Sequence, residues 1–237
     1  MHEFEHARQV IETMIQGADL PGLLRQAETL HGHLCPMVVL GVKAGQYAMT
    51  YLDRSNTGME EVVAIVETNN CFTDGIQMVT GCTFGNNALI FKDLGKTAVT
   101  VARRADGAAV RLVVRADYRQ QLFTKYPAAG PLFEKVVVQR QATPEELHRF
   151  QHIWPAMSRR ELEAPLEEQL LVQTLTIQVP RYAPIFDTLI CSGCGEGVMA
   201  TRVRLKEGQP FCLECAGEDF PRLSGQGIEC LTKAKET

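Results

Sequence analysis

The chain has 237 residues, 45% of them apolar and 22% charged, with a formal net charge of −4. That is the make-up of a globular protein with room for one good core and a small second unit. The acidic balance gives no footing for a nucleic-acid or anionic-membrane partner, and no apolar run approaches the ~20 residues that span a bilayer.

The N-terminal Met1-His2-Glu3-Phe4-Glu5-His6 lacks the basic-then-apolar layout of a secretory signal. Four of the eight cysteines form two Cys-x-x-Cys pairs. Metal binding in a reducing cytoplasm is therefore expected rather than a disulfide framework.

In chain order, Glu3 to Gln16 carries Phe4, Ala7, Val10, Ile11, Met14 and Ile15 at helical spacing, and Gly17 ends it. Pro21 opens a short second helix through Leu30. Pro36 suits the first position of a third, reaching about Leu52, with Cys35 as its N-cap. Gly41, Gly45 and Ala48 share one face of that helix, which predicts close packing of its backbone on a neighbour. Val62 to Val66 reads as a buried strand, followed by the polar turn Glu67-Thr68-Asn69-Asn70-Cys71 and a short helix from Asp74 to Thr80.

Thr97 to Arg103 and Ala108 to Arg115 read as strands joined by the turn Ala105-Asp106-Gly107. Helical stretches follow near Tyr118 to Tyr126 and Pro131 to Arg140. Thr143-Pro144-Glu145-Glu146 is a capping box opening a helix through about Met157. Leu170 to Val179 is a last core strand, and Pro180 and Pro184 mark a boundary. These elements predict an α+β fold with a mixed or antiparallel sheet over residues 1–185, and a separate cysteine-rich unit over 186–237.

In that second unit, Cys191-x-x-Cys194 and Cys212-x-x-Cys215 are separated by seventeen residues, a structural-zinc spacing. Zinc takes four ligands tetrahedrally, and each Cys-x-x-Cys turn converges two sulfurs on one point. Ala200 to Leu205 and Gln209 to Phe211 make a hairpin between the pairs. A helical turn after Cys215, over Ala216 to Phe220, gives a treble clef; a second hairpin turn gives a zinc ribbon. The former is favoured. A closed four-cysteine site is structural, leaving no position for a substrate. Cys230 lies outside this pattern as a free thiol.

His31-Gly32-His33-Leu34-Cys35-Pro36 places two imidazoles and a thiol within five residues. Cys35 at a helix N-terminus feels the positive end of the helix dipole, which favours thiolate. Imidazole and thiolate together suit a transition metal. The plainer alternative is that the histidines bond the turn while Cys35 is merely buried. Further on, Cys71, Asp74 and Cys82 sit among strand-end and loop residues from Glu67 to Asn86, where turn chemistry with buried thiols is the competing account.

The motifs His31-Gly32-His33-Leu34-Cys35-Pro36, Asn70-Cys71 to Gly75-Ile76-Gln77, Thr80-Gly81-Cys82-Thr83 and Lys92-Asp93-Leu94-Gly95-Lys96 resemble the FmdE family, proteins similar to the FmdE polypeptide of formylmethanofuran dehydrogenase. The resemblance covers about residues 10 to 185 and implies an α+β core, commonly a homodimer. It implies a site drawn from His31, His33, Cys35, Cys71 and Cys82, with Asp74 nearby. Many members also carry a C-terminal treble-clef finger, matching Cys191 to Cys215.

Three functions compete. One is an accessory or assembly protein of molybdenum- or tungsten-dependent one-carbon metabolism, holding a second transition metal at the N-terminal cluster beside the zinc of the finger. Another is a free-standing enzyme using Cys35 as nucleophile, or a metal-activated water, on a formyl or acyl carbon. The third is an adaptor or regulator acting through the finger. From Asp187 onward, six Lys/Arg stand against eight Asp/Glu, a net of −2, so protein contact suits that unit better than nucleic acid.

Overall fold

The computed structural model describes residues 7–53 and 55–231; the part of the predicted first helix around Glu3 and Phe4 lies outside them. The chain divides between Pro180 and Arg181 into two compact units. No helix among the described residues is long and apolar enough to cross a membrane.

The first unit begins with α1 (Gln9–Gln16) and α2 (Leu20–His31), followed by α3 (Pro36–Leu52), β1 (Val62–Val66) and α4 (Cys71–Thr80). Then come β2 (Leu89–Phe91), β3 (Ala98–Arg103), β4 (Ala108–Val114), α5 (Tyr118–Lys125) and α6 (Ala129–Phe133). α6 runs on into a π-helical turn, Glu134–Val138, before α7 (Pro144–Glu163), α8 (Leu166–Gln169) and β5 (Leu170–Thr176). The five strands form one sheet in the order β2-β1-β3-β4-β5. Only β1 and β2 are parallel, with Ala64 opposite Leu89. The other pairs are antiparallel, with Ala64 opposite Val101, Val101 opposite Val110 and Leu112 opposite Val172. The fold is α+β with a mixed sheet.

Several boundaries differ from the sequence-based expectation, each for a local reason. α4 begins at Cys71 rather than Asp74, because the Asn70 side chain accepts the Phe72 N–H and caps the helix earlier. β2, three residues long, was not expected; its run is too short to show a periodicity. The capping box at Thr143 and Glu146 is present, and α7 continues to Glu163 with Pro155 inside it. β5 stops at Thr176, short of Val179.

α3 is the central element. Val38, Val39, Leu40, Val42, Ala44, Ala48 and Leu52 are all buried, and the helix lies against α4 more extensively than any other pair of elements meets. The glycines make this possible. A Cβ built on Gly41 would lie 2.1 Å from the Phe72 carbonyl oxygen, and one on Gly75 would lie 2.6 Å from that of Val38. Further along, Gly45 faces the Val79 side chain. The contacts advance together, so the two helices run side by side in the same direction.

A buried polar network ties α3 to α7 and α8. The Lys43 ammonium donates to the carbonyls of Glu161 (3.3 Å) and Ala164 (2.6 Å) and to the Gln169 side-chain oxygen. The Glu161 carboxylate accepts from Lys125 (2.9 Å), Gln169 (2.9 Å) and the Tyr118 hydroxyl (3.3 Å). Burial pushes the Lys43 ammonium down to about 8, with Glu161 opposing that shift.

The second unit opens with β6 (Thr188–Ile190), β7 (Gly197–Met199), a 3-10 turn (Ala200–Arg202), β8 (Val203–Lys206) and β9 (Gln209–Cys212). α9 (Leu213–Ala216), β10 (Phe220–Ser224) and β11 (Gly227–Leu231) complete it. A knuckle between β6 and β7, the β8–β9 hairpin and the α9 turn make a treble clef. The helical turn stands on Leu213 to Ala216; Gly217 at φ 74° ends it, so the expected continuation to Phe220 is a strand start instead.

Adding one methyl group at the α3–α4 contact tests how tightly it sets the fold. Gly41→Ala is expected to lower unfolding stability by about 2–3 kcal/mol, because the obstacle is backbone and cannot swing aside. Urea denaturation of the variant measures this, and an unchanged midpoint would contradict it.

Candidate metal centre

The four side chains of the N-terminal cluster come from three element ends and the loop between two of them. His31 is the last residue of α2. Gly32 follows at φ 84°, a left-handed conformation that ends the helix and reverses the chain; space is not the constraint there, since a Cβ would meet nothing within 4 Å. Leu34 is buried and anchors the turn. Cys35 then caps α3 in an extended conformation, and Cys71 is the first residue of α4. The paired glycines bring these two helix N-termini together.

One ligand atom from each of His31, His33, Cys35 and Cys71 lies within 4.8 Å of all the others. A regular tetrahedron of nitrogen and sulfur around zinc has edges of about 3.3–3.8 Å. The spread of the four atoms is about one ångström above those edges.

The electrostatics point the same way. His31 Nδ1 lies 2.7 Å from Asp74 Oδ2, and Gln77 donates to Asp74 Oδ1 at 3.0 Å. The carboxylate thus orients the ring and holds the proton on Nδ1. The opposite nitrogen, Nε2, is buried and has no hydrogen-bond partner. An orphaned acceptor costs about 1–3 kcal/mol, and a carboxylate behind an imidazole is the usual support of a metal ligand. Beside it, the hydrogen bond from the Cys35 thiol holds Cys71 down to about 6, aided by His31 and His33 and opposed by burial. The same bond and burial push Cys35 up. These directions make Cys71 the more acidic of the two, where the sequence led to a thiolate at Cys35.

Cys82 is not among these residues. It is fully buried beyond the far end of α4, a helix length of about 15 Å from Cys71. Its Sγ accepts from the Asn56 amide (3.8 Å) and its thiol faces the Val62 carbonyl (3.6 Å). Burial pushes that thiol up to about 11. Asp74 touches the cluster only through His31.

A cavity of about 390 Å³ opens on the cluster at His33, Cys35 and Cys71. Its walls are Tyr118, Leu122 and Phe123 of α5, Phe133 and Val137 around α6, and Phe150 and Trp154 of α7. Sequence reasoning passed over these residues. Their signal was aromatic density, since six of the sixteen Phe, Tyr and Trp residues fall between positions 118 and 154.

In the second unit the sulfurs of Cys191, Cys194, Cys212 and Cys215 also lie within 4.8 Å of one another. Backbone N–H groups point at them: Cys212 N–H and Gly193 N–H donate to Cys191 Sγ (3.2 and 3.4 Å), and Cys215 N–H to Cys212 Sγ (3.3 Å). The Cys212 and Cys194 amides hold Cys191 down to about 6. Such amides neutralise a sulfur-only ion site. Cys230, in β11, stays apart and exposed.

The fold and its sites define an α+β protein with a histidine–thiolate cluster and an appended four-cysteine finger. Residues 30–171 match the family model described as "FmdE, Molybdenum formylmethanofuran dehydrogenase operon", and the chain belongs to that family. Residues 184–219 match the prokaryotic dksA/traR C4-type zinc finger. A protein of Archaeoglobus fulgidus named as a probable S-adenosyl-L-methionine-binding protein is 44% identical over 213 residues, which are 88% of this chain. The chain spans only 56% of that relative's length. The crystal structure of a tungsten formylmethanofuran dehydrogenase FmdE-like protein from Syntrophus aciditrophicus shares the fold, with a TM-score of 0.51 at 22% identity. The match covers 84% of this chain and 92% of that one.

The role of Asp74 is open to direct test. Asp74→Ala is expected to weaken metal binding at the His31 cluster by about 10–100-fold. Competition against a chromophoric chelator measures this, with the four-cysteine site as internal reference; unaltered affinity would remove Asp74 from the account.

Proposed function

We propose that this FmdE-family chain binds a transition metal through His31, His33, Cys35 and Cys71. In this reading it serves as an accessory or assembly protein of a molybdenum- or tungsten-dependent one-carbon oxidoreductase. The observation that carries the metal is His31, with Nδ1 held by Asp74 and Nε2 left unpartnered beside two thiols. Two soft sulfurs and two borderline nitrogens suit zinc, iron(II) or cobalt(II) better than a hard cation. When bound, such an ion supplies Lewis acidity facing the cavity. Support for the oxidoreductase context comes from the operon named in the family description. Zinc in the four-cysteine finger stabilises the second unit. A cytoplasmic homodimer without nucleic-acid contact completes the proposal.

The cavity against Cys71 favours a second reading, a thiol enzyme acting on a formyl or acyl group. There the Cys71 thiolate adds to the acyl carbon, the leaving group departs with the proton of Cys35, and an acyl-thioester remains on Cys71. Protein mass after incubation with an activated ester separates the readings. The name of the Archaeoglobus relative suggests S-adenosylmethionine as a further candidate occupant; no acidic residue among the described residues lines the cavity to hold its ribose.

Elemental analysis of anaerobically purified protein tests the main reading. Two metal equivalents per chain are expected, one for each cluster. Cys191→Ser with Cys194→Ser should remove one, and Cys35→Ser with Cys71→Ser the other. Full metal content in the latter variant would overturn the proposal.

A further inference from the structure

We infer that the cavity beside the thiols binds a small organic anion with an apolar body. The body is set by the walls. Trp154 stacks on Phe133 with ring centroids 5.1 Å apart and planes at 18°, and on Phe150 at 4.8 Å and 26°. Three near-parallel rings packed on one another, with Arg119 over Phe133, build a rigid apolar wall. The remaining wall residues, Leu122 and Val137 among them, are apolar, and about 390 Å³ falls in the range of pockets for small organic molecules.

The charge is set by Arg119. It is exposed, at the outer edge of the cavity, while Cys35 and Tyr118 at the inner end are buried. Its guanidinium lies 5.1 Å from the centroid of Phe133 and 5.6 Å from that of Phe123, so the cavity wall itself positions it. Among the described residues Arg119 has no ion pair and no acidic residue lines the cavity. The guanidinium fork is free to take a carboxylate in bidentate geometry. A ligand of this kind lies along the stacked rings, with its carboxylate at Arg119 and its other end toward Cys35 and Cys71.

Only the placing of the inner end rests on the metal reading above; the anion and its apolar body rest on Arg119 and the cavity wall. Isothermal titration of the purified chain with 2-naphthoate and with its neutral isostere 2-naphthamide tests the inference. Saturable binding of one naphthoate per chain is expected, with naphthamide at least about tenfold weaker, the worth of one charge-assisted pair. Arg119→Gln should bring the acid down to the level of the amide while leaving the amide unchanged. Equal affinities in the unaltered chain, or an Arg119→Gln variant that still prefers the acid, would overturn it. So would a dimer in sedimentation that covers the cavity and excludes both compounds. Metal content is measured on the same samples, so naphthoate failing to bind at full metal content strikes this inference alone.

Discussion

The contact between Gly41 and Gly75 is the constraint on which the rest depends. Two helices that meet through side chains usually stand 8–10 Å apart. Here a Cβ on either glycine would strike the backbone opposite, so α3 and α4 approach more closely than side chains allow. Because the helices run in the same direction, that approach brings their N-termini together. Cys35 caps one and Cys71 begins the other. That brings the two thiols within hydrogen-bond reach, and the Cys35 bond lowers Cys71 where burial opposes it.

Around that pair the structure supplies orientation. Asp74 lies one helical turn after Cys71 on α4, which lets it meet His31 from the end of α2. One helix thus provides both a sulfur and the support for a nitrogen. On the cavity side, Lys43 and Glu161 fix α7 and α5 to the central helix through bonds that leave the lysine's three protons placed. Breaking one partner of such a buried network is costly because the others are left unpaired. The aromatic wall is therefore held by a polar core behind it.

Much of this was legible from residue order. The glycine-spaced face of α3, its start at Pro36, the β3–β4 hairpin and the Thr143 capping box each have a local cause, so local reasoning finds them. The four-cysteine unit is legible for the same reason, since metal geometry dictates the spacing. What escaped was non-local. Cys71 reads as a turn residue until Asn70 is seen to cap a helix, and β2 exists only because β1 accepts it as a neighbour. Cys82 shares the composition of its loop with Cys71 yet lies at the other end of α4; only the helix between them separates the two. The cavity rings come from three successive helices, and no periodicity announces that they face one another.

The second unit is organised differently. Its strands are short and largely exposed, and its four sulfurs are held by amide donors around one point. So small an apolar interior needs an ion to fold against, whereas the first unit has a large core of its own. In the proposed reading, a metal at the histidine–thiol cluster therefore serves something other than stability. Cobalt(II) titration of the Cys191→Ser, Cys194→Ser chain, followed in the near-ultraviolet, addresses that cluster without interference from the finger. The account predicts one tightly bound cobalt with thiolate-to-metal charge-transfer absorption that falls to about half in a further Cys71→Ser variant, as expected when one of two sulfur ligands is lost. Absence of that absorption, or its persistence unchanged without Cys71, would contradict it.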